Sequence, residues 1–297
     1  MSSLYHIPVM VEEVLHWLNP QEGKIYVDCT VGCGGHTLAV LQKMSGKVRI
    51  IGIDWDEDAL KIARERLQEY KEKVTFIRAN FVDIQNILEE QKIKKVDGFL
   101  FDLGLCSLQV NNPERGFSFR YEGPLDMRMD KREKITAADV VNKLSKNELT
   151  EVLLKLGEER WAKRMAEFIV EERKKKPICS TKELVDVLKK AVPAKFRRGG
   201  RIHFATRAFQ ALRIAVNREL ENLEIALNKA VDLLEKGGRI CVISYHSLED
   251  RIVKNKFKKM EGKRLHMLTS KVVGPSREEV RRNPKSRSAR LRVAEKL

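Results

Sequence analysis

Four apolar runs limit what this chain can fold into. They lie at 25–28, 48–54, 74–79 and 96–103, with helical patterns between them at 37–44, 57–70 and 84–91. Apolar strands that alternate with helices imply a parallel sheet covered on both faces. Asp28, Asp54 and Asp102 stand at or beside the ends of three runs. Ligands of open α/β sheets bind outside the strand C-termini, so these carboxylates should converge on one crevice.

The loop after the first run reads Val27-Asp28-Cys29-Thr30-Val31-Gly32-Cys33-Gly34-Gly35-His36. Its three glycines permit positive φ and close approach of backbone to a ligand. A dinucleotide loop must seat a pyrophosphate on a helix N-terminus. Asp28 at the loop mouth repels such an anion and welcomes a cation, such as the sulfonium of S-adenosylmethionine. Asp54 is placed to accept from ribose hydroxyls, which NAD and S-adenosylmethionine share. Phe81, in Asn80-Phe81-Val82-Asp83, either faces an adenine or belongs to the core.

The alternation breaks after residue 111. Thr136 to Asp139, Ser145 to Glu148 and Ser180 to Glu183 each have capping-box spacing, and apolar residues recur at helical intervals. Residues 112–204 therefore read as an inserted helical domain, with 1–111 and 205–297 forming the α/β domain. Residues 206–235 form one helix or two, and Gly237-Gly238 reads as a stop signal. A fifth strand at 239–245, a helix at 248–260 and final strands at 264–270 and 289–295 complete the pattern. Five parallel strands closed by a strand pair suit a class I methyltransferase better than a dehydrogenase.

The formal charge is +16 and unevenly placed. Residues 251–297 carry sixteen Lys/Arg against four Asp/Glu, and 194–218 carry seven Lys/Arg and no acid. Two concentrated basic segments read as a phosphate footprint. Arg115-Gly116-Phe117-Ser118-Phe119-Arg120 adds aromatics beside arginines, which suits base stacking, or else a packed connector. The five cysteines, an odd number without metal-ligand spacing, point to a reducing cytoplasm and to no metal. Neither a secretory signal nor a membrane span is expected.

Longer motifs extend the reading. They are His6-Ile7-Pro8-Val9, the glycine loop, Asp102-Leu103-Gly104, RGFSF at 115–119, GPLDMRMD at 123–130, ATRAFQALRIAVNREL at 205–220, ISYHSLEDRIVK at 243–254 and NPKSRSARLRVAE at 283–295. With these the chain resembles, nearly end to end, the bacterial 16S rRNA (cytosine-N4)-methyltransferases, the RsmH or MraW family. That resemblance implies a class I, Rossmann-like methyltransferase with a helical substrate-recognition insertion. It implies S-adenosylmethionine as cofactor, and N4-methylation of a cytidine in the decoding region of 16S rRNA, within the small ribosomal subunit. Family cofactor contacts fall on Gly34, Gly35, His36, Asp54, Phe81, Asp102 and Gln109. Cys106 stands where serine is usual, Leu108 and Phe204 where proline is, and Tyr245 where phenylalanine is.

Asp102, Ser107 and His246 are the candidate acceptors for the amine's hydrogen, and the sequence does not rank them. The arginines of 197–218 and 277–292, chiefly Arg197, Arg198, Arg201, Arg207, Arg282 and Arg287, are expected to hold RNA phosphates together with Arg115. The rival readings are an NAD-dependent enzyme, an amino-methyltransferase for another nucleic acid, and a non-catalytic ribosome-assembly factor that binds RNA.

Overall fold

The computed structural model describes residues 7–197 and 202–297. The chain divides into two compact units: residues up to Cys106 together with Leu220–Leu297, and Ser107–Glu219.

The first unit opens with α1 (Val11–Leu18), β1 (Ile25–Asp28), α2 (Gly35–Lys43), β2 (Arg49–Asp54), α3 (Glu57–Arg66), β3 (Val74–Arg78), α4 (Ile84–Glu90) and β4 (Val96–Asp102). The second holds α5 (Ser107–Asn111), α6 (Ala137–Lys143), α7 (Lys146–Gly157), α8 (Ala162–Lys175), α9 (Thr181–Ala191), α10 (Ala194–Arg197) and α11 (Thr206–Asn217). The chain returns to the first unit through α12 (Glu219–Leu233), β5 (Leu234–Ser244), α13 (Ser247–Met260), β6 (Leu265–Met267), α14 (Arg277–Arg282) and β7 (Arg290–Lys296).

The sheet order is β3-β2-β1-β4-β5-β7-β6. Strands β1 to β5 pair in parallel, and β7 runs antiparallel between β5 and β6. Alternate residues feed opposite faces, as the pleat requires. Val27, Ile51, Phe99, Phe101 and Val242 pack with α4, α12 and α13. Tyr26, Ile50, Leu100, Cys241 and Ile243 pack with α1 and α2. A large side chain buried in this way contributes about 1.5–3 kcal/mol. Covered on both faces, the strands are apolar almost throughout, which is why they stand out in the sequence.

Of the two forms left open for 206–235, the chain takes two helices, because Arg218 takes a left-handed conformation at the end of α11. Two boundaries differ from expectation. The glycine pair does not stop α12, which ends at Leu233. It lies instead inside β5, where the register against β4 shifts between Val96 and Gly98 and Gly237 has φ +78°. The helical unit also extends past residue 204 to Glu219. Its last helix, α11, packs flush on α7: a Cβ at Gly157 would lie 2.6 Å from the Arg207 carbonyl oxygen.

In the helical unit all three expected capping boxes form, at Thr136, Ser145 and Ser180. Each joins a side-chain oxygen to the N3 amide and an N3 carboxylate to the cap amide, so two otherwise orphaned donors are satisfied per helix.

Candidate active site

Strand order reverses at β1, which lies between β2 and β4. That switch point opens a crevice outside the strand C-termini, lined by the loops after β1 and β4. The loop after β1 is held tightly. Gly34 caps α2 at φ +77°, and a Cβ there would lie 2.9 Å from Leu67 Cδ1. A Cβ on Gly35 would meet Pro8 at 3.0 Å. The left-handed φ at Gly34 and the close Pro8 ring at Gly35 favour glycine at both positions.

The three strand-end acids play different parts. Asp54 Oδ2 accepts from the Gly32 amide and Oδ1 from the Asp56 amide, each at 2.9 Å. A carboxylate offers about four acceptor positions, so both oxygens retain capacity. Burial raises the Asp54 carboxyl to about 7. Asp102 Oδ1 accepts from the Tyr245 hydroxyl at 2.8 Å, and its amide donates to Thr30 Oγ1. Burial pushes Asp102 up, while the His36 ring and the Tyr245 hydroxyl act against that rise.

Asp28 is not the rim carboxylate expected. It is 5% exposed, with Oδ1 accepting from the Thr30 amide and Oδ2 from the Thr37 hydroxyl. It ties the glycine loop to α2. Burial raises its carboxyl too.

His36 is buried, with Nε2 2.8 Å from the Val9 carbonyl oxygen. A carbonyl can only accept, so Nε2 carries a hydrogen. Nδ1 then faces Asp102 Oδ2 at 3.6 Å. The His36 side chain is committed to structure, and only its backbone is left to a ligand. Phe81 follows β3 and is half-buried. Its ring meets Phe101 edge-on at 5.7 Å and lies 6.3 Å from Trp55. Phe81 thus packs against the core, as one of its two readings expects. Trp55 escaped the sequence reading, although an aromatic directly after a strand-end acid was its signal.

His246 caps α13. Nδ1 accepts from the Glu249 amide, which leaves the hydrogen of a neutral ring on Nε2, 3.1 Å from Glu249 Oε1. Glu249 in turn accepts from the Tyr245 and His246 amides through Oε2. A histidine N-cap lies outside the usual Ser/Thr/Asp/Asn signature, so this box was not read from sequence.

In the helical unit, Ser107 and Gln109 lie on α5, with Gln109 buried. Arg115 corrects the expectation of a phosphate contact. It is 4% exposed, and its guanidinium donates to the carbonyls of Arg128 and Met129. The aromatics beside it are also packed: Phe117 is buried, and Phe119 stacks on His203 at 4.6 Å and meets Phe209 edge-on. RGFSF is therefore a connector. Asn217 fixes the following motif by accepting from the Met129 amide and donating to the Met127 carbonyl.

The remaining arginines divide. Arg213 pairs with Glu219, and Arg292, 9% exposed, pairs with Asp250. Both are spent on structure, against expectation. Arg207, Arg282 and Arg287 are exposed. Arg207 donates to the Glu158 carbonyl, and Arg282 pairs with Glu278 one turn earlier. Arg197 is half-buried and donates to the Val192 carbonyl. Arg198 and Arg201 lie outside the described residues.

The model of the MraW methylase family matches residues 3–297. The chain belongs to that family. Proteins called ribosomal RNA small subunit methyltransferase H are similar to it across nearly their whole length. That of Thermotoga neapolitana is 51% identical over 98% of this chain and 96% of its own. That of Pseudothermotoga lettingae is 49% identical over 99% of each, and that of Finegoldia magna 44% over 98% of each. The methylase has the class I sheet, and S-adenosylmethionine is its methyl donor. The residues present fit that donor. Gly34 turns the loop into α2 at φ +77°, and Asp54 has acceptor capacity to spare. Among the described residues, no helix is long and apolar enough to cross a membrane.

Proposed function

We propose that this methylase modifies the exocyclic N4 of a cytidine in the decoding region of 16S rRNA, acting in the cytoplasm on the small ribosomal subunit. The relatives' name supports a ribosomal RNA substrate of the small subunit. The observation that carries the chemistry is the Asp102 carboxylate, held by Tyr245 at the crevice where the glycine loop and Asp54 meet.

S-adenosylmethionine, when bound, supplies an electrophilic methyl group on a sulfonium. Asp54 accepts from the ribose hydroxyls with the capacity its two backbone bonds leave. Gly34 and Gly35 admit the methionine part against bare backbone, and Phe81 offers its free ring surface to the adenine. The cytidine amine is a weak nucleophile, because its lone pair is conjugated with the ring. Position and a local acceptor therefore matter more than a strong base.

Asp102 is the acceptor we assign. Tyr245 occupies Oδ1, and Oδ2, 3.6 Å from His36 Nδ1, is the oxygen assigned to the amine hydrogen. His246 is the weaker candidate, since Nδ1 already accepts from the Glu249 amide. Gln109 keeps the cofactor contact implied by the family resemblance, and Ser107 remains an alternative acceptor. The helical unit is assigned substrate recognition. Arg197, Arg207, Arg282 and Arg287, with Arg198 and Arg201, are assigned to RNA phosphates.

The test incubates the enzyme and labelled S-adenosylmethionine with small subunits lacking the modification, then digests the RNA for mass spectrometry. Label on the N4 of cytidine is expected. Label on adenosine, or an unlabelled cytidine, overturns the substrate assignment. Small subunits that bind the protein but gain no label favour an assembly factor.

A further inference from the structure

Two thiols from distant parts of the sequence meet at the crevice. Cys33 Sγ and Cys106 Sγ lie 3.3 Å apart, across 73 residues of chain. Cys33 stands inside the glycine loop, and Cys106 lies just past β4. Both belong to the sheet unit. Cys33 keeps 9% exposure and Cys106 is half-buried, whereas Cys29 and Cys241 are packed singly on opposite faces of the sheet. The Cys106 contact lowers the Cys33 thiol from its ordinary value against the opposing effect of burial, and the Arg66 guanidinium adds to the lowering. A cysteine whose thiol is lowered, in contact with a second and half-buried thiol through which a small disulfide can approach, is the arrangement of a redox-responsive pair.

We propose that Cys33 and Cys106 form a reversible disulfide that weakens cofactor binding, with a low-molecular-weight disulfide as oxidant. The Cys33 thiolate attacks one sulfur of the external disulfide and expels the first small thiolate, giving a mixed disulfide on Cys33. Cys106 then attacks Cys33 Sγ and expels the second, which takes up the Cys106 proton. Two electrons pass from the protein thiols to the external disulfide, which leaves as two thiols.

Bond formation draws the sulfurs from 3.3 Å to about 2.05 Å. The loop has little freedom to absorb this, because the Gly34 amide is held by the Val31 carbonyl at 2.7 Å and the His36 ring by the Val9 carbonyl at 2.8 Å. The displacement therefore falls on neighbouring Gly32, whose amide is held by Asp54 Oδ2 at 2.9 Å. The consequence for the cofactor rests on the reading of this crevice as its site. A reversible bridge of this kind is the sort that a reducing compartment tolerates.

The test begins with the full-length, fully reduced protein in a calorimeter with S-adenosylmethionine. If that protein does not bind, the site reading fails whatever the thiols do. The protein is then treated with oxidised glutathione. Free thiols counted after denaturation should fall from five to three, the mass should drop by two hydrogens, and a peptide linking Cys33 to Cys106 should appear. Affinity should weaken by about tenfold or more and return with dithiothreitol. Cys106→Ser should bind as the reduced protein does and, lacking the resolving thiol, should stop at a glutathione adduct on Cys33 and form no intramolecular link. Five persistent thiols, glutathione adducts without the 33–106 link, or a link with unchanged affinity each overturn the proposal.

Discussion

The Tyr245 hydroxyl donates to Asp102 Oδ1 at 2.8 Å, joining the ends of two neighbouring strands. The ring lies over Gly104, where a Cβ would stand 3.0 Å from Tyr245 Cδ2. Burial holds the phenol proton in place well above its usual range, so the group remains a donor throughout the working pH. The bond favours the ionised Asp102, against the burial that favours the neutral acid.

Tyr245→Phe keeps the ring and removes the donor. Asp102 then loses a stabiliser of its charged form and rises further. A hydrogen bond to a charged group is worth about 1.5–3 kcal/mol, or roughly one to two pH units at 1.36 kcal/mol per unit. The acidic limb of the rate profile should move up by that amount, with turnover recovering at higher pH. Rate profiles of the two proteins decide the matter, and superimposed limbs would remove Asp102 ionisation from the mechanism. Asp102→Asn, which cannot accept a proton, should stay folded and lose about a hundredfold or more in turnover at every pH.

The Asp54 carboxyl, raised to about 7 by burial, predicts a pH-dependent affinity. Ribose hydroxyls donate, so they bind the ionised carboxylate best. Below pH 7 the neutral acid dominates, and affinity for S-adenosylmethionine should fall by up to about tenfold per pH unit. Above pH 7 it should level off. The sign for folding is opposite. This carboxyl ionises earlier in the unfolded chain, so its contribution to the stability of the ligand-free protein declines as pH rises from about 4 to 7. Calorimetric titration across that range tests the first point, and Asp54→Asn should bind more weakly with a flat profile. A sloping profile in that variant would assign the titration to another group.

Much of this site could be read in advance, for definite reasons. Strands covered on both faces must be apolar throughout, so β1 to β5 were visible, and the acids ending β1, β2 and β4 marked the crevice. Capping boxes obey a local spacing rule, and those at Thr136, Ser145 and Ser180 needed no tertiary information. What sequence did not disclose depends on long-range contact. Arg115 resembles any phosphate-binding arginine until two carbonyls fourteen or so residues away claim its donors. Asp28 resembles a rim acid until Thr37, one turn into α2, takes its second oxygen. His246 broke the capping rule by using a ring nitrogen.

Gly34→Ala should separate two costs that coincide at this loop. Gly34 has φ +77° and a Cβ position 2.9 Å from Leu67 Cδ1, whereas Gly237 has φ +78° with nothing within 4 Å. Gly237→Ala incurs only the left-handed backbone penalty, about 1–2 kcal/mol. Gly34→Ala adds overpacking of about 1–3 kcal/mol and brings a methyl group into the loop. Chemical denaturation should therefore show the larger loss for Gly34→Ala, together with impaired cofactor binding. Equal losses would mean that Leu67 yields without cost.

The arginines give the last separation. Arg115→Ala leaves the Arg128 and Met129 carbonyls without a buried charged donor. The loss should be about 2–4 kcal/mol of stability, with little change in the salt dependence of RNA binding. Arg287 is exposed on the basic C-terminal segment. Arg287→Ala should leave unfolding unchanged and lower the slope of log affinity against log salt by about one if it neutralises a phosphate. Unfolding curves and RNA titrations over a salt series, run on both variants, distinguish the two roles. A reduced slope for a still-folded Arg115→Ala would return that residue to the RNA surface. An unchanged slope for Arg287→Ala would move the footprint to other exposed arginines, such as Arg207 and Arg282.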